Sequence, residues 1–185
     1  MAIKKWKTIN SEIIFRSNWF DIIRKRVHLP HNDIDLDNYY VVSEKDSAMV
    51  VAVDEMGNLI MKSEYRLPVD EVLLELPAGN LESGEEPIMA AKRELLEETG
   101  YASETWCLIS RTYDCPNRCN NALYIYLAED AKKVSSQYLD RSENIEVTLV
   151  PFEKAVNMCL DGTIKVNSCV NGILNTAIKK RKVLN

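Results

Sequence analysis

The sequence predicts an α+β fold, and three observations point there. Strand-like segments outnumber helical ones, the helical segments fall at irregular intervals, and no internal repeat or low-complexity tract is present. A repeated βαβ unit would instead alternate strands and helices regularly. The 185 residues suffice for one domain, or one domain with a small extension, around a real core.

Residues 12–43 read as short strands: "FDIIRKRVHL" partly alternates, "PHND" makes a turn and "NYYVVS" is rich in β-formers. "AMVVAV" and "LIMKSEYR" flank "DEMGN", a hairpin turn, and "VLLEL" is a buried-strand candidate stopped by Pro77. Glu86 to Thr99 reads as a helix, with Pro87 in its first turn and Gly100 as its stop. "TWCLISRTY", "ALYIYLAE" and "IEVTLVPF" are β-like. "PFEKAVNMCLDG" then forms a short helix closed by Gly162, and residues 166–181 form a longer one. The basic run "KKRKV" has the charge of a nuclear-localisation cluster, but basic residues that end a helix and complement its dipole explain it more simply.

Composition narrows the function classes. The chain is 46% apolar and 28% charged, as in a soluble globular protein. A net charge of −5 argues against a nucleic-acid surface, although an acidic chain can still hold phosphates when metal ions supply the positive charge. "MAIKKWKTIN" lacks the apolar run of a signal peptide, and no later segment is long enough to span a bilayer, so no membrane partner is expected. Five cysteines, odd in number and without a CxxC pair, read as reduced thiols of a cytoplasmic protein. "CPNRC" has no second Cys or His pair to complete a metal clip. With His28 and His31 as the only histidines, imidazole chemistry is not expected.

One stretch concentrates charge. "GNLESGEEPIMAAKRELLEETGY", Gly79 to Tyr101, holds six glutamates and two basic residues. On a helix Glu94, Glu97 and Glu98 are spaced i, i+3, i+4 and share about a third of the circumference. Ile88, Ala91, Leu95 and Thr99 form the adjacent stripe, which can face a core. Carboxylates crowded beside a buried face repel one another or raise their own pKa values. Divalent cations resolve that conflict, because hard oxygens at this spacing suit Mg²⁺ or Mn²⁺ bridging to phosphates. The plainer alternative is a solvated acidic face on which Arg93 pairs with Glu97.

The same stretch follows, position for position, the Nudix hydrolase signature: Gly79, Glu85, Arg93, Glu94, Leu95, Glu97, Glu98, Gly100 and Tyr101 occupy its specified places. Tyr101 is the soft departure, aromatic where the pattern favours an aliphatic residue. The resemblance implies an α/β/α sandwich with a mixed sheet and hydrolysis of a nucleoside diphosphate linked to another group. It implies Glu94, Glu97 and Glu98 as metal ligands, joined by the Ala78 carbonyl. Arg93 and Glu85 would then orient those carboxylates.

Beyond the signature, Glu64-Tyr65-Arg66 and "ELPAG" (Glu75 to Gly79) resemble the ADP-ribose pyrophosphatase branch, as does Pro116, 16 residues after Gly100. That branch implies substrate contacts from Arg66, Glu75 and Pro116. It also implies a homodimer built through an N-terminal antiparallel β extension, here residues 1–44, with the hydrolase domain in 45–185. Arg66 can grip a phosphate bidentately, or else pair with Glu75. Asn117 and Asn121 depart from the glycine and glutamate expected there. Asn tolerates a left-handed backbone, but it cannot replace a carboxylate as base or strong ligand. The resemblance implies a general base on a loop after the signature, here Glu143 with Glu146 in reserve; the plainer alternative is that both are solvated loop-to-strand acids. Trp19 and Phe20 are expected to pack in a core, with base stacking as the alternative. The expected reaction is cleavage of ADP-ribose to AMP and ribose 5-phosphate. GDP-mannose or another nucleotide sugar is the rival, and a non-catalytic sensor a distant third, since no signature carboxylate is lost.

Overall fold

In the computed structural model, which describes residues 3–183, the elements follow in the order β1 (Lys7–Arg16), β2 (Asp21–Leu29), β3 (Ile34–Ser43), β4 (Ser47–Asp54), β5 (Asn58–Arg66), β6 (Glu71–Glu75), β7 (Ala78–Asn80), α1 (Pro87–Thr99), β8 (Tyr101–Ala102), β9 (Thr105–Thr112), β10 (Leu123–Lys133), β11 (Ile145–Pro151), α2 (Phe152–Leu160) and α3 (Asn167–Val183). They divide into two compact units. One contains β1–β3 together with Tyr113–Ala122; the other runs from Asp46 to Thr112 and resumes at Leu123.

The larger unit is organised by β4, whose apolar run is buried on both faces. Ala48, Val50 and Ala52 pack with Ala90, Ala91 and Leu95 of α1. The alternate residues Met49, Val51 and Val53 pack with Ala155 of α2 and with Cys169 and Ile173 of α3. Period-two alternation thus sends one strand into two cores, one under each helical layer. β10 runs parallel to β4, from Leu123↔Ser47 to Ala131↔Asp54, whereas β5 pairs antiparallel with β4, β6 and β11. The result is a mixed sheet between helices, the α/β/α sandwich that the resemblance implied. Among the described residues no helix is long and apolar enough to cross a membrane.

The smaller unit is a three-stranded antiparallel sheet in the order β1-β2-β3, and Tyr113–Ala122 joins it through a parallel bridge between Val42 and Cys119. β1 starts at Lys7, earlier than the pattern suggests, because register shifts between Thr8/Asn10 and Ile13/Phe15 break its alternation. Trp19 and Phe20 correct the expectation of core packing. Trp19 is 75% and Phe20 37% exposed, in a tight turn where Ser17 Oγ accepts the N–H groups of both.

Asn117 and Asn121 differ from expectation as well. Among the described residues only Asp33, Asp70 and Asp130 have positive φ without being glycine. The turn after Pro116 closes instead through the Cys115 carbonyl, which accepts from the N–H groups of Arg118 (3.0 Å) and Cys119 (2.7 Å). The basic run lies at the end of α3. Lys180 pairs with Glu129 and stacks on Phe152, and Lys179 donates to the Leu108 carbonyl; side chains beyond residue 181 lie outside the described residues.

Candidate active site

Local sequence sets the limits of α1. Glu86 precedes it in an extended conformation, Pro87 opens it, and Gly100 ends it at φ 70°. Ala90, Ala91, Leu95 and Thr99 are fully buried, which fixes the rotation of the helix and carries Glu94 and Glu98 into buried positions beside them. β7, three residues long, pairs with β4 (Ala78↔Met49, Gly79↔Ala48) and lies against α1. A Cβ at Gly79 would stand 2.0 Å from Glu94 Oε1 and 2.2 Å from its Cδ. The Glu94 carboxylate therefore rests on bare backbone, a seat that a residue with any side chain would fill.

Arg93 gathers the remaining acids. Its Nε and Nη2 donate to the two oxygens of Glu85, both at 3.0 Å, and Nη2 also reaches the Asn80 carbonyl at 3.1 Å. Nη1 donates to Glu94 Oε1 at 2.7 Å and to Glu97 Oε2 at 3.2 Å. The guanidinium holds the Glu85 carboxyl below the usual range, and these carboxylates raise the Arg93 pKa against the cost of burial. More than a simple Glu97 pair, Arg93 ties acceptors from four residues into one array.

Glu98 is held differently. Its Oε2 accepts the Ala78 N–H at 3.0 Å, and its Oε1 is paired with the Lys62 ammonium. Lys62 is 1% exposed and also meets Glu64 at 3.1 Å. Burial pushes the Glu98 carboxyl up to about 7, with Lys62 pulling against that rise. Burial works against the Lys62 charge, but Glu98 and Glu64 together outweigh it and the ammonium is retained. From Glu64 the chain of alternating charges continues to Arg66, whose Nε and Nη2 fork onto Glu75 at 2.9 and 2.6 Å.

The segment after β10 folds back over the end of α1. Lys133 Nζ donates to the Thr99 carbonyl at 2.6 Å, Gln137 Nε2 to that of Glu98 at 2.7 Å, and the Tyr138 N–H to that of Glu97 at 2.8 Å. Helices end with unpaired carbonyls, and here Lys133 at the end of β10 and the loop after it satisfy three of them in a row. That anchoring brings Tyr138, Asp140 and Glu143 around a cleft of about 80 Å³ shared with Arg93, Glu94 and Glu97. Glu143 is steadied as its carboxylate accepts the Asp140 N–H at 2.9 Å. Glu146 sits on β11, exposed and opposite Ser63, and does not line this cleft.

The larger unit thus brings together Glu85, Arg93, Glu94, Glu97, Glu98 and Glu143, with Ala78 contributing its N–H to Glu98. Arg66 and Glu75 form the ion pair that was the alternative to phosphate binding. Pro116 belongs to the smaller unit, exposed in its turn. Sequence reading missed Lys62. The signal was a lysine directly after the apolar run Leu59–Met61, followed at alternate positions by Glu64 and Arg66 on the same strand face.

Carboxylate oxygens beside a glycine cradle are the donor chemistry that Mg²⁺ or Mn²⁺ takes, so these residues fit such an ion. Among the described residues, however, no three His, Cys, Asp or Glu side chains are already gathered as a metal-holding group. Arg93 engages Glu94 and Glu97, and Lys62 engages Glu98.

The family model described as NUDIX domain matches residues 44–165. A protein named ADP-ribose pyrophosphatase from Bacillus subtilis is 34% identical over 153 residues, covering 82% of each chain. One of the same name from Mycobacterium tuberculosis is 30% identical over 176 residues, covering 94% of this chain and 84% of its own. A GDP-mannose pyrophosphatase from Yersinia enterocolitica is 27% identical over 172 residues, covering 87% and 89%. A crystal structure described as an ADP compounds hydrolase superposes with a TM-score of 0.84 over 98% of this chain and 97% of its own; at 19% identity this likeness speaks to the fold. By the model match and these relatives, the chain belongs to the Nudix family and is a Nudix hydrolase.

Proposed function

We propose that this hydrolase splits the diphosphate bridge of a nucleoside diphosphate sugar, with ADP-ribose as substrate and AMP and ribose 5-phosphate as products. The observation that carries the reading is the convergence of Glu94, Glu97 and Glu143 on one cleft, with Arg93 fixing the first two. Glu94, Glu97 and Glu98, with the Ala78 carbonyl, are the proposed holders of Mg²⁺ or Mn²⁺. When two such ions are bound there, they would lower the pKa of the attacking water and offset charge on the phosphates.

The chain's own residues do the rest. Gly79 lets Glu94 approach the backbone, and Arg93 with Glu85 holds the helix carboxylates in register. Glu143 is placed to accept the proton from water, on a loop tied to the end of α1. Arg66, at the end of β5, holds the Glu75 carboxylate at the end of β6. The names of the Bacillus and Mycobacterium relatives support the choice of ADP-ribose. A GDP-mannose substrate is the second reading, favoured by Asn117 and Asn121 and by the name of the Yersinia relative. We also propose a homodimer through the N-terminal sheet.

The test is AMP release from ADP-ribose by purified protein with Mg²⁺ or Mn²⁺, beside GDP-mannose, UDP-glucose and NADH. ADP-ribose should turn over fastest and a chelator should abolish the reaction. Glu98→Gln should slow it by at least about 100-fold. Wild-type turnover in that variant would sink the assignment of the metal-holding helix, and faster cleavage of GDP-mannose would move the substrate to the second reading.

A further inference from the structure

The residue that the site chemistry above leaves unused is Lys62. A lysine that is 1% exposed needs a reason, because an ammonium removed from water is costly unless it is paired and hydrogen-bonded. Its face of β5 is set by alternation: Leu59 and Met61 point to the α2–α3 core, so Ile60, Lys62 and Glu64 point toward α1. There the ammonium stands between two carboxylates, Glu98 and Glu64. With the Ala78 N–H on its other oxygen, each oxygen of Glu98 already has a donor. Glu94 and Glu97, by contrast, share a single nitrogen of Arg93.

We propose that Lys62 is a built-in cation that competes with a divalent ion for Glu98, so that the ion using Glu98 binds weakly and the one using Glu94 and Glu97 binds tightly. This rests on the reading of the helix glutamates as metal holders. A divalent ion arriving at Glu98 meets a like charge already in place. It must push the ammonium onto Glu64 alone, deep in a region where the displaced charge has no water to replace the lost partner. Lys62 is thus a positioning residue that sets how many divalent ions the chain carries at a given concentration.

The experiment is titration of the intact protein with Mn²⁺ alone, reading free Mn²⁺ by electron paramagnetic resonance, so that no turnover is needed. Wild type should show a tight and a weak class. In Lys62→Met the weak class should tighten, on the order of 10- to 100-fold. Lys62→Arg, which keeps a cation at Glu98, should retain weak binding. Because Lys62→Met leaves Glu98 buried without its partner and can fail to fold, Glu64→Gln provides an independent arm. It leaves the ammonium to Glu98 alone and should weaken the weak class further. A merely structural role for Lys62 does not produce opposite shifts in the two variants. Two Mn²⁺ classes in wild type with no tightening in Lys62→Met, or no weakening in Glu64→Gln, would overturn the role of Lys62 and leave the metal-holding helix standing. Absence of Mn²⁺ binding in wild type and all variants would overturn both.

Discussion

At position 79 the absence of one methyl group decides where a carboxylate sits. Alanine there would put its Cβ 2.0 Å from Glu94 Oε1, far inside van der Waals contact, and both the strand pairing of Gly79 and the burial of Glu94 prevent easy relief. Gly79→Ala should therefore displace Glu94 and weaken Mn²⁺ binding on the order of 10- to 100-fold, measured by titration, while circular dichroism remains native. Arg93 was legible in the sequence as a partner of the acids. Its bidentate hold on Glu85, eight residues away, follows from the signature spacing. Lys62 stood out only as a lysine following an apolar run; that it meets Glu98, 36 positions away in the chain, was not legible, because no local pattern names the partner.

At the scale of elements, α1 was readable almost to the residue, since Pro87 and Gly100 act through their own backbone preferences. β7 and β8 were not, because strands of three and two residues carry no period and exist only through pairing with β4 and β10. The loop over the end of α1 was equally hidden. Gln137→Ala removes the donor to the Glu98 carbonyl and should cost about 1 kcal/mol, lowering Tm by about 2–4 °C in a calorimetric melt. α3 allows a test of burial through pH. Within its core, burial pushes the Cys169 thiol up from 9.0 to about 12. The folded chain then keeps a proton that the unfolded chain releases, so this residue's contribution is complete below the unfolded value and is lost as pH rises from about 9 toward 12. Urea melts at about pH 8 and about pH 10.5 should show a smaller loss of stability for Cys169→Ala than for wild type.

For the whole molecule, the smaller unit sets the assembly question. β1 is exposed along its full length, with Ile9, Ile13, Ile14 and Phe15 each about half exposed. An apolar edge of that kind calls for a covering partner. If a second copy of the chain supplies it, sedimentation equilibrium should give twice the 21.2 kDa chain mass, and Phe15→Asp should shift the protein to monomer. A wild-type protein of single chain mass at micromolar concentration would refute the homodimer.

By itself the sequence pattern determined the α+β class, the limits of the acidic helix and the glutamates on its flank, while the sandwich layering was implied only by the family resemblance. The first three depend on residues near one another in the chain, through alternation, helical period, proline and glycine. Tertiary structure alone decided that Glu98 faces Lys62 and that the anchored loop brings Glu143 to the cleft beside Glu94 and Glu97. The physical reason is that burial and ion pairing depend on distance in space, and the sheet sets those distances by joining strands that lie far apart in sequence.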